Sequence, residues 1–346
     1  MHSRRVCAPL LFIPSLVTAL AIPSLAAAPS GKPAFTDPAQ ADADFALQGE
    51  YAGTATVEGQ PLRLGLQVVA LGDGKFDVVG YPGGLPGDGW IAPDKVVGTG
   101  LKKESTGKTV VALEGVDWTG RKRQAEIRDG AVVVLGDDDA VVASMPKVER
   151  KSPTLGEQPP PNAVVICDGA GPVDETKTLV NPRLTADGLL MEGVTTADAF
   201  GDARWHIEFC LPYQPHDRGQ ARGNSGAYVQ GCYEVQMLDS FGLEGKDNEC
   251  GGIYKAAAPA VNACLPPLSW QTYDIDFTAP RFENGAKVAS ARMTVRHNGI
   301  LIHDDVEIPT LTPGGPQKEE QLTGPLHLQN HGNPVRYRNI WVLPKS

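Results

Sequence analysis

The stretch WHIEFCLPY, residues 205–213, sets Trp205, Ile207, Phe209 and Leu211 on one side and His206, Glu208 and Cys210 on the other. A period of two with one apolar side marks a half-buried strand, because successive side chains of an extended backbone point in opposite directions. TYDIDF repeats the pattern, with Tyr273, Ile275 and Phe277 against Asp274 and Asp276. ARMTVRHNGILIHDDVEI places Asn298-Gly299 between two such runs. That dipeptide suits a type I′ hairpin turn, which needs positive φ at both central residues. No segment reads as a long amphipathic helix. The expectation is all-β: two antiparallel sheets packed as a sandwich of jelly-roll or lectin type.

The preceding part of the chain carries shorter apolar runs: EYAGTATV, LRLGLQVVAL, KFDVVGY, TVVALEG and AVVVLG. Turn signals separate them at Glu58-Gly59, Gly72-Asp73-Gly74 and Asp129-Gly130. Val-rich runs at this spacing predict a smaller antiparallel β-domain over 45–144. It shows no catalytic constellation, and GYPGGLPGDGW (80–90) reads as turns or as a binding loop. MPKVERKSPTLGEQPPPNA has no apolar period and predicts a Pro-rich linker over 145–162, leaving 163–346 as the sandwich.

The N-terminus, MHSRRVCAPLLFIPSLVTALAIPSLAAAPS, has the basic Arg4 and Arg5, a mostly apolar run from Val6 to Leu25 and the small residues Ala26–Ala28. This is the pattern of a signal peptide over 1–28. It predicts an exported chain, periplasmic or secreted, with no membrane attachment after cleavage. Residues 29–44 read as a disordered N-terminal segment. A formal charge of −10 without any Lys/Arg block argues against nucleic acid and anionic membranes as partners. A small neutral or polar molecule fits better.

RGNSGAYVQGCYEVQMLDSFG, residues 222–242, looks like a buried strand yet carries Asn224, Gln230, Glu234, Gln236 and Asp239. Alternation resolves the conflict. Tyr233, Val235 and Met237 fall on one face and enter the core. Cys232, Glu234 and Gln236 fall on the other, where a curved sheet offers a groove, with Asp239 arriving as the strand ends. A second polar cluster, GPLHLQNHGNPVRYRNIWV, alternates Leu326 and Leu328 with His327 and Gln329, then brings His331, Arg336 and Arg338. Carboxylates, amides and arginines of this kind form paired hydrogen bonds with sugar hydroxyls.

Cys7 leaves with the signal peptide, and five cysteines remain without C-x-x-C spacing, so a zinc or thioredoxin-type site is not indicated. Cys210 and Cys232 share the polar parity of their strands and would form a cross-strand disulfide if those strands were neighbours. Cys250 and Cys264 bracket a Gly/Ala/Pro loop that a disulfide would staple, for about 3 kcal/mol in the chain-entropy account. Cys167 is left over.

These segments, in order RGNSGAYVQGCYEVQMLDSFG, CGGIY, LSWQTYDIDFTAPRF, VRHNGILIHDDVEI and GPLHLQNHGNPVRYRNIWV, resemble the 3-keto-disaccharide hydrolase domain family over about residues 163–346. The resemblance implies a concanavalin-A-like or jelly-roll sandwich and a role in exported bacterial breakdown of 3-keto-glycosides. The implied activity is a 1,2-lyase step followed by hydration of the 2-hydroxy-glucal. That chemistry needs a base, an acid and stabilisation of an enolate oxygen. Glu234 is the expected base, with His331 or Asp239 as acid. Asn224, Gln236, Gln329, Arg338 and His327 are expected to hold hydroxyls or the oxyanion. Cys210 and Cys232 stand where the resemblance leads one to expect arginines, and losing both together fits the disulfide. No cofactor is specified. A divalent metal is possible on Glu234, Asp239, His327 and His331, although their spacing selects none. Two other classes remain open: a lectin-like protein that binds without turnover, and a glycoside hydrolase using Glu234 and Asp239 as its carboxylate pair.

Overall fold

The computed structural model describes residues 32–57, 59–105, 108–117, 119–136, 138–169 and 178–345. The segment read as a signal peptide lies outside them. The first strands are β1 (Gly49–Val57), β2 (Gln60–Gly72), β3 (Lys75–Pro82), β4 (Val96–Ser105), β5 (Lys108–Val116), β6 (Lys122–Arg128), β7 (Ala131–Leu135) and β8 (Val141–Val148). Each pairs antiparallel with the next, and β8 returns to β1 through Glu50↔Val148 and Tyr51↔Lys147. The sheet is therefore a closed barrel, which removes the exposed edges a small sheet would otherwise present. Tyr51, Val68, Phe76, Val111, Ile127 and Val132 pack inside it. The turn residues Asp73 and Asp129 both have positive φ, as their Gly-flanked sequences predict.

The disorder expected over 29–44 is corrected for its described part. Phe35 pairs with Tyr213 in a β-bridge, and Asp44, 4% exposed, accepts from the Gly74 amide and from Lys102 Nζ. Apolar Phe35 and Phe45 packed on Tyr213 outweigh the polar composition that suggested disorder.

The remaining strands are β9 (Val164–Cys167), β10 (Leu179–Val180), β11 (Leu190–Met191), β12 (Val194–Thr196), β13 (Ala203–Cys210), β14 (Ser225–Val229), β15 (Tyr233–Met237), β16 (Trp270–Thr278), β17 (Arg281–Glu283), β18 (Ala286–Ala289), β19 (Ala291–His297), β20 (Ile300–Ile308), β21 (His327–Leu328) and β22 (Arg336–Pro344). One sheet runs β10-β12-β21-β14-β15, and a larger one runs β11-β22-β13-β16-β19-β20 with β9 against β22. Trp205, Ile207 and Phe209 of β13 and Tyr273, Ile275 and Phe277 of β16 meet Tyr233, Val235 and Met237 of β15 in one shared core. The period-two reading of all three strands holds. Asn298 and Gly299, φ 51° and 77°, turn β19 into β20 as the Asn-Gly dipeptide requires.

The stretch predicted as a linker begins inside β8, and the residues after it are not loose. Ser152 Oγ lies 2.6 Å from Thr272 Oγ1, Thr154 Oγ1 donates to Asp274 Oδ2 at 2.8 Å, and Glu157 pairs with Arg204 at 2.9 Å. The strap covers the outward face of β13 and β16. That is why the polar residues His206 and Glu208, which alternation places opposite the core, are buried as well.

The cysteine pairing needs correction. Cys210, Cys232, Cys250 and Cys264 carry free thiols. Cys210 ends β13, whose neighbours are β16 and β22, whereas Cys232 sits beside β15 in the other sheet and belongs to the core. A shared parity cannot join residues of different sheets. Cys250 and Cys264 do lie together in the core, with Cys250 Sγ 3.2 Å from the Tyr273 hydroxyl and Cys264 Sγ directed at the Leu238 and Leu265 carbonyls.

Candidate active site

The β14–β15 hairpin turns through Gln230 and Gly231, both at positive φ. Its register sets Tyr228 opposite Glu234 and Gly226 opposite Gln236. On the far side of β14, Tyr228 faces His327 of β21, which in turn faces Thr195 of β12. Because Ala227, Val235, Leu328 and Val194 belong to the core, their strand neighbours Tyr228, Glu234, His327 and Thr195 share the opposite face. The polar stripe expected from alternation is thus assembled from four strands.

Glu234 lies at its centre, 1% exposed. Tyr228 Oη is 2.7 Å from Glu234 Oε2 and 3.0 Å from the Pro313 carbonyl. Burial pushes the Glu234 carboxyl up to about 8, and the Tyr228 hydrogen bond only partly opposes it. One hydroxyl proton cannot serve both acceptors. With Glu234 ionised, Tyr228 donates to it. With Glu234 protonated, the carboxyl donates to Tyr228 Oη and Tyr228 donates to Pro313. The pair can therefore take up or release a proton without leaving a buried donor unmatched. Room for the carboxyl comes from Gly226, where a Cβ would lie 2.0 Å from Glu234 Oε1.

Amides flank this carboxyl. Gln220 Oε1 accepts from Asn224 Nδ2 and Gln236 Nε2, each at 3.2 Å. Gln329 Nε2 approaches Tyr228 Oη at 3.4 Å. Asn224 Oδ1, Gln236 Oε1 and Gln329 Oε1 are buried acceptors with no partner among the described residues. Each carries an uncompensated desolvation cost until a donor reaches it. Three of them on amides around one carboxyl suit a molecule rich in hydroxyl donors. His327 Nδ1 is 2.9 Å from Thr195 Oγ1, and burial lowers its basicity, keeping the ring neutral at neutral pH.

Of the residues expected from the sequence, Glu234, Gln236, Asn224, Gln329 and His327 come together. Three do not. Asp239 is held by Arg222, Nε to Oδ2 at 2.6 Å, and Arg222 Nη1 reaches the Ala70 carbonyl of the barrel at 3.2 Å. Asp239 thereby fastens the segment that carries Gln220 and Asn224, and the two-carboxylate arrangement loses its second member. Arg338 belongs to the larger sheet, where it donates to Glu208 at 2.8 Å and stacks over Trp270 at 4.0 Å. His331 is exposed on the turn before β22. The metal set expected from Glu234, Asp239, His327 and His331 is accordingly not assembled. Among the described residues, Glu157, His206 and Asp274 do converge closely enough to share an ion, but they lie where the strap meets the larger sheet, away from Glu234.

Tyr228, Gln220, Thr195 and Gly226 escaped the sequence reading. Tyr228 was legible in principle: a short turn centred on Gln230-Gly231 fixes a register that puts Tyr228 across from Glu234. Gln220 lies on a loop, where alternation says nothing.

A model of the 3-keto-alpha-glucoside-1,2-lyase-like domain matches residues 164–343. Among solved structures, a protein of Parabacteroides distasonis named "putative glycosyl hydrolase" is 31% identical, covering 54% of this chain and 85% of its own, with a TM-score of 0.48. Another from the same organism with the same name is 20% identical over 50% of this chain and 96% of its own, at a TM-score of 0.36. No curated protein matches the chain.

Proposed function

Since the chain belongs to the 3-keto-alpha-glucoside-1,2-lyase-like domain family, we propose that it is an exported enzyme that cleaves 3-keto-glycosides by 1,2-elimination and rehydration, with Glu234 as the proton carrier. The observation that carries this reading is a buried carboxyl held near 8 and surrounded by unpartnered amide oxygens.

The ketone at sugar carbon 3 acidifies the hydrogen on carbon 2. Ionised Glu234 takes that proton, and the electron pair becomes the enolate. The enolate collapses to a carbon 1–carbon 2 double bond and expels the glycosidic oxygen, which receives the proton from Glu234. Water then adds at carbon 1 and a proton returns to carbon 2, so the net change is hydrolysis. A carboxyl with its pKa near the working pH both accepts and returns a proton readily. Asn224, Gln236 and Gln329 accept from the sugar hydroxyls. Tyr228 follows the charge on Glu234 as its proton comes and goes. With His331 exposed and Asp239 paired to Arg222, one carboxyl serves both proton transfers.

The test is incubation of the purified protein with a 3-keto-glucoside and with its unoxidised parent, read by mass spectrometry. Loss of the keto compound alone, with 3-keto-glucose or the glucal as product, is expected. Cleavage of both compounds would replace the elimination by ordinary glycoside hydrolysis, and binding without turnover would leave a lectin-like protein.

A further inference from the structure

Tyr51, Val68, Phe76 and Ile127 pack together inside the barrel and do not line its cavity. Towards the β1–β2 and β5–β6 connections the interior holds a cavity of about 500 Å³, lined by Leu62, Leu64, Leu66, Leu113, Val134 and Met145 among others. Neighbouring strands β3, β4 and β5 contribute Gly80, Gly98 and Gly115 to the lining, and a Cβ at Gly98 would lie 2.2 Å from the Glu114 carbonyl, so glycine lets these strands approach closely there.

Two valines stand at its mouth. Val57 and Val142 line the cavity yet are 48% and 49% exposed. The charged residues of the lining are Glu114, Asp117, Arg121 and Arg123, two of each sign. Arg123 Nη2 and Asp117 Oδ2 pair at 2.7 Å. The entrance therefore offers no net charge to select an ion. An eight-stranded barrel is just wide enough to enclose one small ligand, and this volume falls within the usual range for small-molecule sites. Water gains few partners on such a lining.

We propose that the barrel is a binding site for an uncharged apolar small molecule that enters past Val57 and Val142. The site shares no residue with the Glu234 cluster, so it stands or falls independently of the sugar chemistry.

The test titrates the whole protein with N-phenylnaphthylamine, a neutral apolar fluorophore, and follows methionine methyl signals by NMR with Met145 assigned through Met145→Leu. Saturable fluorescence is expected, with the Met145 signal moving and those of Met191, Met237 and Met293, all outside the barrel, staying in place. Ala125→Phe and Val134→Phe fill the interior and are expected to weaken binding by about tenfold or more, whereas Val116→Ser, on the exposed surface outside the lining, leaves it unchanged. A Met145 signal that does not move at saturating dye would overturn the proposal, whether or not the filled variants fold. So would unchanged affinity in both filled variants, or loss of binding in Val116→Ser, which would place the dye on the outer valines.

Discussion

Glu208 and Glu234 are the same residue type, each on a strand face turned away from the sandwich core, and each 1% exposed. Their acidities diverge. Burial alone would raise Glu208, but contacts from His206, Asn339, Arg338 and the Gly156 amide outweigh it and hold the carboxyl at about 2. Burial raises Glu234 to about 8, because a single tyrosine hydroxyl is the only side-chain partner of its carboxyl among the described residues. Burial raises both, and the partners decide the sign of the net shift. Glu208 pins the strap to the larger sheet as a fixed charge. Glu234 is poised to exchange a proton, in a setting whose other polar atoms are left unmatched.

Exchanging each carboxyl for its amide separates the two roles most sharply. Glu234→Gln is expected to lower turnover of a 3-keto-glucoside by about 10²- to 10⁴-fold while leaving the urea midpoint at neutral pH equal or higher. Glu208→Gln is expected to do the reverse. It leaves Arg338 without its carboxylate, removes one of the two carboxylates beside His206 and costs about 3 kcal/mol of stability, while the folded fraction keeps its turnover. Equal behaviour of the two variants would erase the distinction.

Titration sharpens the comparison in a second way. If Glu234 acts as the ionised base, kcat/KM rises with pH through about 8, and a fall there would make it the initial acid. Stability moves in the opposite sense. The unfolded Glu234 ionises near its ordinary 4.5 and the folded one near 8, so stability falls as pH rises across that interval. His206 adds to the fall. Its burial opposes charging, but Asp274 and Glu208 overcome this and raise it to about 9. Its contribution is full below about 6.5 and lost as pH climbs through 9, on the order of 3 kcal/mol. Glu234→Gln is therefore expected to abolish the lower part of the decline in urea midpoint and His206→Phe the upper part. A decline unchanged in both variants would remove these groups as its cause.

A smaller effect is expected from Gly226→Ala. The new methyl would stand 2.0 Å from Glu234 Oε1, so the carboxyl must swing away from Tyr228. The backbone there is ordinary strand, which alanine tolerates. Turnover should fall by about tenfold with stability nearly unchanged, as read from paired kinetics and urea titration. A loss confined to stability would mean that the position of Glu234 is not critical.

Much of this was legible beforehand, for physical reasons that also mark where legibility stops. Alternation in WHIEFCLPY, TYDIDF and YEVQM fixed which residues enter the core, because a strand has only two faces. Asn298-Gly299 fixed a hairpin, because few residues accept its φ values. Parity does not say which strands are neighbours, so Cys210 and Cys232 were paired across sheets that do not touch edge to edge. Nor does it report what covers a face. Arg338 shares its residue type with sugar-binding groups but is held by Glu208 and Trp270, contacts created only when β22 lies beside β13. The closed barrel was read as a β-domain without its closure, since pairing of β8 with β1 joins residues about a hundred positions apart.

The smallest expected effect falls on His331. Its sequence setting, a histidine after Gln329 and Asn330 in a Gly/Asn/Pro turn, made it a natural acid. The structure leaves it exposed, outside the face that carries Glu234 and His327. If Glu234 alone carries the proton from carbon 2 to the leaving oxygen, His331→Ala should change kcat and KM by no more than about twofold. A fall of about tenfold or more in kcat at unchanged KM would mean that this turn closes over bound substrate and supplies a second proton donor.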